Sequence, residues 1–142
     1  MNKRQQDIAF ELAVNAHKGQ TRRDGITPYF KHVEDVARVA GDRFGFDDEL
    51  IAAALLHDVC ENSQTSLNDL RKAGISENVV DAVDKLTLKR CWTYLGNIRF
   101  IKQSGNQLAI RVKIADNLAN LADSPTDKQI LKYAESLQIL LS

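Results

Sequence analysis

The chain has 142 residues, a length that suits one domain with a single hydrophobic core. Apolar residues make up 44% and charged residues 27%, a mixture typical of an ordinary globular protein. The 19 basic residues balance the 19 acidic ones, so the composition lacks the basic excess of a general nucleic-acid binder.

The first predicted helix lies near the N-terminus. Ile8, Leu12 and Ala16 recur there at helical spacing, and Phe10 and Val14 broaden the apolar face. Acidic residues interrupt the segment, which excludes a secretory signal peptide. A glycine-containing loop follows.

The second and third helices have recognisable starts. Thr27 followed by Pro28 predicts the start of the second helix, because proline tolerates the first helical position. Asp47 is the expected N-cap of the third helix. That helix contains the run LIAAALL, which is apolar nearly all round and therefore predicts a central, buried helix. The run is far too short to cross a bilayer.

The remaining helices are delimited by capping patterns and glycines. The boundaries are, in order, the Ser66–Asp69 capping box, Gly74, Ser76, Gly105 and the Thr126–Gln129 capping box. No stretch alternates with a period of two. We therefore predict an all-α fold, a single domain over residues 1–142 that forms a bundle of about seven to eight helices.

The two cysteines, Cys60 and Cys91, are too few for a disulfide framework, and their separation fits no metal knuckle. We expect buried thiols in a reducing compartment, and no catalytic role for Cys60. Without a signal peptide or a membrane-spanning run, the sequence predicts a soluble cytoplasmic protein.

The candidate metal site comes from histidines and aspartates on three predicted helices. A lone histidine is more often structural than functional, but His57 and Asp58 are adjacent at a helix end. Asp116 lies in the otherwise apolar segment KIADNLANL, where a carboxylate is costly unless it is paired or metal-bound. With His32 from the second helix, two imidazoles and two carboxylates suit a divalent ion such as Mn, Fe, Co or Zn.

In its order, the set His32, His57-Asp58, Asp116 resembles the H…HD…D signature of the HD-domain metal-dependent phosphohydrolases. The blocks AHKGQTRRDGITPYFKHV, AALLHDVCE and VKIADNLANL resemble more narrowly the hydrolase domain of the bifunctional (p)ppGpp synthetase/hydrolases and the small stand-alone alarmone hydrolases. This resemblance implies that these four residues bind a divalent metal, with Mn2+ expected first. It also implies a small nucleotide substrate, with neither nucleic acid nor membrane as partner, and leaves the oligomeric state open.

The implied activity is that of a (p)ppGpp 3′-pyrophosphohydrolase that uses metal-activated water. Glu61 lies one turn beyond His57 and is expected to orient or deprotonate that water, although a solvated glutamate is the simpler alternative. The resembled enzymes carry Glu-Asp at this place, whereas here Asn62 follows Glu61. Because asparagine cannot accept a proton, two alternatives stay open: another phosphoester substrate, or a catalytically weakened nucleotide-binding domain.

The resemblance also implies substrate contacts. The residues it points to are Arg22 and Arg23 for the nucleotide, Asn120 for the substrate or its surroundings, and Lys113 for acid or phosphate. His17 and Tyr29 are expected in structural or supporting roles, and Trp92 and Tyr94 in the core. The basic cluster Lys85, Lys89 and Arg90 has two possible roles that the sequence leaves open: contact with the distal phosphates, or simple exposure to solvent.

Overall fold

The computed structural model describes residues 3–88 and 92–142, and within these two ranges the chain forms nine helices. In chain order they are α1 (Gln5–Ala16), α2 (Tyr29–Phe44), α3 (Asp48–Leu56), α4 (Val59–Asn62), α5 (Leu67–Lys72), α6 (Glu77–Leu86), α7 (Tyr94–Ser104), α8 (Gln107–Leu121) and α9 (Asp127–Leu141). The predicted all-α fold is confirmed. In the described ranges, extended pairing is limited to an isolated bridge between Thr21 and Pro28.

Several helix ends follow directly from the local sequence. The side chain of Asp47 accepts a hydrogen bond from the Leu50 backbone N–H at the start of α3, as its N-cap position predicts. Both predicted capping boxes form, one opening α5 and the other opening α9. Gly105 ends α7 in the left-handed region with φ 69°, a conformation that favours glycine. Pro28 lies at the N-cap of α2 rather than at its first helical position.

The centre of the bundle is α3. All seven residues from Leu50 to Leu56 are buried, which confirms the predicted central helix. It packs against α1, α2, α6 and α8, and α2 also packs along α8. The long core helices α2 and α8 therefore flank the C-terminal end of α3, where the chain turns into α4.

The predicted face of α1 is confirmed in part, since Ile8, Leu12 and Ala16 are partly buried and pack against the core. Ala9 and Ala13 are fully buried, whereas Phe10 and Val14 are exposed, at 45% and 39%. Small side chains allow α1 to approach α3 closely, and the ring of Phe10 instead packs edge-on against Phe30 at 5.3 Å between centroids. Trp92, expected in the core, is 38% exposed and packs against Phe100.

Cys60 is half-buried with a free thiol, whereas Cys91 lies outside the described residues. No helix in the described ranges has the length and apolar character required to cross a membrane.

Candidate active site

The site is built around the break between α3 and α4, where the polar pair His57 and Asp58 interrupts the helix. The ring of His57 is buried, and its Nδ1 lies 2.7 Å from the carbonyl oxygen of Ala54. Because a carbonyl oxygen can only accept, Nδ1 carries a proton and Nε2 points away from the backbone. His57 Nε2 lies 3.6 Å from an oxygen of Asp58 and 3.6 Å from an oxygen of Asp116.

Long-range packing completes a buried group of three metal-binding side chains. Helix α2 contributes His32, whose Nε2 lies 2.9 Å from Oδ1 of Asp116 on α8. The ligand atoms of His32, His57 and Asp116 all lie within 4.8 Å of one another. Ligands bound about 2.1 Å from one ion would be separated by similar distances, so the three can share a cation.

Asp58, the fourth predicted ligand, lies beside this group and is surrounded by protein donors. Its Oδ2 accepts hydrogen bonds from the Tyr29 hydroxyl and, at 3.3 Å, from the Asn62 amide. Its Oδ1 lies 3.3 Å from Nε2 of the buried His17. The carboxylate is therefore held firmly next to His57.

His17, at the C-terminal end of α1, lies against Asp58 and is oriented by Gln20. Gln20 donates its amide protons to the carbonyl oxygens of Ala16 and Asn62, so its Oε1 accepts from His17 Nδ1 at 2.8 Å. Burial alone would lower the pKa of His17, but the hydrogen bonds with Asp58 and Gln20 outweigh it and raise that pKa. When the ring is protonated, it carries an N–H at Nε2, which lies 3.3 Å from Asp58 Oδ1.

The charges of the site are mutually stabilised. Burial alone would raise the pKa of Asp58, but the charge of His57 and the hydrogen bonds from His17 and Tyr29 hold it well below its usual value. For Asp116, the charge of Lys113 and the contacts with His32 and His57 likewise outweigh burial and lower its pKa. Burial also opposes the charge on His57, yet the two aspartates raise its pKa to about 9. Both carboxylates are therefore ionised, the form that binds metal.

This group opens onto a cavity of about 230 Å³. Four of the predicted site residues outside the metal group also line it: Glu61, Lys113, Asn120 and Arg22. One oxygen of Glu61 accepts a hydrogen bond from the Leu88 backbone N–H, which fixes the direction of its carboxylate. Lys113 Nζ lies 3.1 Å from Asp116 Oδ2, and Asn120 donates to Asp116 Oδ1 at 3.3 Å.

Arg22 reaches the cavity from the loop between α1 and α2. Its guanidinium donates to Asn120 Oδ1 at 3.4 Å and to Asp123 Oδ2 at 3.0 Å. The loop is a tight turn, because Asp24 accepts from the backbone N–H groups of Ile26 and Thr27.

Two predicted site residues lie elsewhere. Arg23 lines a neighbouring surface depression with Asp24 and Asp123, rather than the main cavity. Asn62 is not among the described residues that line the cavity, since its amide faces Asp58. Of the basic cluster, Lys85 pairs with Asp81 and Asp84, and Lys89 and Arg90 lie outside the described residues.

Nothing in the sequence indicated that Tyr133 belongs to the site, and for Tyr29 the sequence favoured a structural role while leaving a place in the pocket open. Tyr29 lines the cavity from the start of α2. The only local sequence feature that marks its position is the preceding proline in TPYFKH. Tyr133 lines the cavity from α9, and no local pattern distinguishes it from the core tyrosines of other helices.

Comparison with known proteins agrees with this geometry. The sequence profile of the HD domain matches residues 9–93, which include His32, His57, Asp58 and Glu61. A solved structure of a metazoan SpoT ortholog, described as hydrolysing ppGpp, superposes with a TM-score of 0.79 at 25% identity, over 99% of this chain and 87% of that one.

Two kinds of curated relative are similar in sequence. The guanosine-3′,5′-bis(diphosphate) 3′-pyrophosphohydrolase MESH1 of Homo sapiens is 32% identical over 120 residues, which cover 81% of this chain and 66% of that protein. The putative chloroplastic GTP diphosphokinase RSH1 of Oryza sativa subsp. japonica is 31% identical over 92% of this chain. The chain spans only 17% of the length of that protein. The profile match covers more than half of the chain, and this chain therefore belongs to the HD domain family.

Proposed function

We propose that this chain is a metal-dependent phosphohydrolase that removes the 3′-diphosphate from guanosine 3′,5′-bis(diphosphate) and its pentaphosphate analogue. The observation that carries the proposal is the buried group of His32, His57 and Asp116, which opens onto one cavity with Glu61 and Lys113. The substrate comes from the named activity of the MESH1 relatives.

The donor set fits a divalent transition metal. The bond from His57 Nδ1 to Ala54 directs Nε2 towards the flanking carboxylates, and an ion bound at Nε2 would displace the proton that those carboxylates favour there. His32, His57 and Asp116 would hold the ion with Asp58 as fourth ligand; Mn2+ is our first choice, and Fe, Co or Zn would suit the same donors. When bound, the cation would offset phosphate charge and lower the pKa of water.

Glu61 is the proton acceptor of the proposed reaction. One of its carboxylate oxygens is occupied by the Leu88 N–H, so the other is available to orient the attacking water and to take its proton. The water oxygen forms a bond to the phosphorus attached to the 3′ oxygen, and the bond between that phosphorus and the 3′ oxygen breaks. The 3′ oxygen leaves as a hydroxyl with the proton that Glu61 took from the water, so Glu61 is regenerated and diphosphate is released.

Lys113, Arg22 and Asn120 would hold the substrate. Lys113 is largely buried and already paired with Asp116, so it stabilises phosphate charge close to the metal group without moving. Arg22 and Asn120 both line the cavity and are hydrogen-bonded to each other, and the planar guanidinium of Arg22 suits a base or a phosphate.

Asn62 supports the site through Asp58. Its amide donates to Asp58 Oδ2, which a carboxylate at the same position could not do. Asn62 would therefore position Asp58, and the proton transfer would fall to Glu61 alone.

The test is an assay of the purified protein with Mn2+ for release of diphosphate from guanosine 3′,5′-bis(diphosphate). Turnover well above that of His57→Ala is expected. Turnover no greater than in His57→Ala contradicts the proposal, and a preference for nucleoside 5′-monophosphates in a nucleotide panel would assign the site to a different phosphoester.

A further inference from the structure

One cation beside the cavity has no role in the reaction described above. Lys132, on α9, is half-buried, and its Nζ lies 4.5 Å from the ring centroid of Tyr94 and 5.0 Å from that of Tyr133. Tyr133 lines the cavity, and Nζ of Lys113, which also lines it, lies 5.3 Å from the Tyr94 centroid. Two aromatic rings therefore hold the ammonium of Lys132 at the edge of the cavity.

The ammonium of Lys132 differs from the neighbouring cations, which form ion pairs with carboxylates. Lys113 pairs with Asp116 at 3.1 Å, and Arg22 pairs with Asp123 at 3.0 Å. No carboxylate in the described part of the chain lies within ion-pair distance of Lys132. Burial, and then the charges of Lys113 and Arg23, lower the pKa of Lys132; the charge of Asp116 opposes this shift but does not outweigh it. A cation beside a cavity attracts an anion when it has no carboxylate within ion-pair distance and other cations lie nearby.

We propose that Lys132 binds the second diphosphate group of the substrate, the one on the 5′ oxygen, and so selects nucleotides that are phosphorylated at both ends of the ribose. The inference rests on the proposed function, which puts the 3′-diphosphate at His32, His57 and Asp116. Because Lys113 is paired with Asp116 and serves the 3′-diphosphate, the 5′-diphosphate needs a cation of its own.

The chemistry and surroundings of the Lys132 side chain suit a phosphate group. An ammonium is a compact point charge that suits phosphate oxygens, and stacking on Tyr94 and Tyr133 restricts the flexible stem before the ligand arrives. The rings bind the ammonium without neutralising it, so its N–H donors remain available to an anion.

The direct test measures binding of guanosine 5′-diphosphate by calorimetry to the Mn2+-loaded protein, with inorganic diphosphate saturating the metal group. Lys132→Met keeps the stem that packs on the rings and removes only the charge. We expect it to weaken binding about tenfold, whereas binding of guanosine should change less than about twofold. Lys132→Arg should retain most of the affinity. Lys72→Met, an exposed lysine on α5, is the matched control and should bind like the wild type.

Kinetics give a second, independent readout. In Lys132→Met the KM for guanosine 3′,5′-bis(diphosphate) should rise about tenfold with kcat nearly unchanged, because the lost contact is equally strong in the ground and transition states. The KM for guanosine 3′-diphosphate, which lacks the 5′ phosphates, should not change. A general loss of folding would instead lower the activity on both substrates.

The outcomes separate this inference from the proposed function. Wild-type affinity for guanosine 5′-diphosphate in Lys132→Met overturns the inference, as does a wild type that does not bind this nucleotide. If the wild type binds it through Lys132 but releases no diphosphate from guanosine 3′,5′-bis(diphosphate), the subsite stands and the proposed reaction fails.

Discussion

Adjacent residues at the end of α4 have different surroundings, although the sequence suggests one catalytic pair. Glu61 lines the cavity with one carboxylate oxygen held by Leu88, whereas Asn62 turns its amide towards Asp58. Adjacent side chains on a helix diverge by about 100°, so Glu61 and Asn62 point in different directions. The chemistry proposed here therefore depends on Glu61.

Substitution of the two residues should separate their roles. Glu61→Gln keeps the shape but removes the proton acceptor, and we expect kcat on guanosine 3′,5′-bis(diphosphate) to fall about 100-fold. Asn62→Asp should not raise kcat and should lower it about three- to tenfold, since the new carboxylate faces Asp58 rather than the cavity and cannot donate to it. Steady-state kinetics of both variants check this. A tenfold or greater gain in Asn62→Asp would show that the second position takes part in proton transfer.

At the scale of the elements, the N-termini of α1, α3 and α6 are tied together by polar side chains. The carboxylate of Asp48 accepts from the backbone N–H groups of Gln5 and Gln6 at 2.8 and 2.9 Å. Glu49 accepts from the Ser76 hydroxyl at 2.6 Å, and Ser76 donates its N–H to Gln5. These bonds satisfy helix N-terminal donors and fix where α1 begins on the core.

The Asp48 contact should appear as a pH-dependent stability. Burial alone would raise the pKa of Asp48, but the bonds from Gln6 and Gln5 outweigh it and lower that pKa in the folded protein. The carboxylate therefore stabilises the fold fully above its unfolded pKa of about 3.9, and this contribution is lost as the pH falls through the lower folded value.

We expect Asp48→Asn to lower the free energy of unfolding by about 1–2 kcal/mol at pH 7, because the amide replaces one acceptor oxygen and the charge is lost. The difference from the wild type should shrink below about pH 4. Urea unfolding at several pH values measures it. Asp42→Asn is the control, because its exposed contact with Arg38, at 3.6 Å, contributes little. An equal loss in the two variants would contradict the role of Asp48.

At the scale of the whole molecule, the candidate metal site joins helices that are distant in sequence. His32 on α2 and Asp116 on α8 are 84 positions apart, and His57 ends the central helix α3. A bound ion would therefore cross-link the three helices that form the middle of the bundle, and binding to the folded state alone would stabilise the fold.

Metal should therefore raise the melting temperature. At a free Mn2+ concentration about 100 times the Kd, the folded state gains about 2.7 kcal/mol, which raises Tm by roughly 5–10 °C in a chain of this size. Differential scanning fluorimetry with Mn2+ and with a chelator measures the shift. Asp116→Asn should lose most of it, whatever its own starting Tm. A Tm that does not respond to Mn2+, Fe2+, Co2+ or Zn2+ would contradict the metal site.

The sequence by itself determined the features that depend on neighbours within one or two helical turns. Helical periodicity, the capping boxes at Ser66 and Thr126, and the buried character of α3 are all relations between residues three or four apart. The resemblance to the HD-domain phosphohydrolases identified the proposed metal ligands by their order along the chain. These relations can be read from the sequence because every α-helix has the same number of residues per turn.

Only the tertiary structure decided which side chains meet. It turned Asn62 towards Asp58, buried Ala9 and Ala13 of α1 in place of Phe10, and brought Lys132 beside the cavity. These placements depend on the rotation of each helix about its own axis and on the angle at which it crosses its neighbours. Packing of the whole core sets both quantities, and no local pattern in the sequence encodes them.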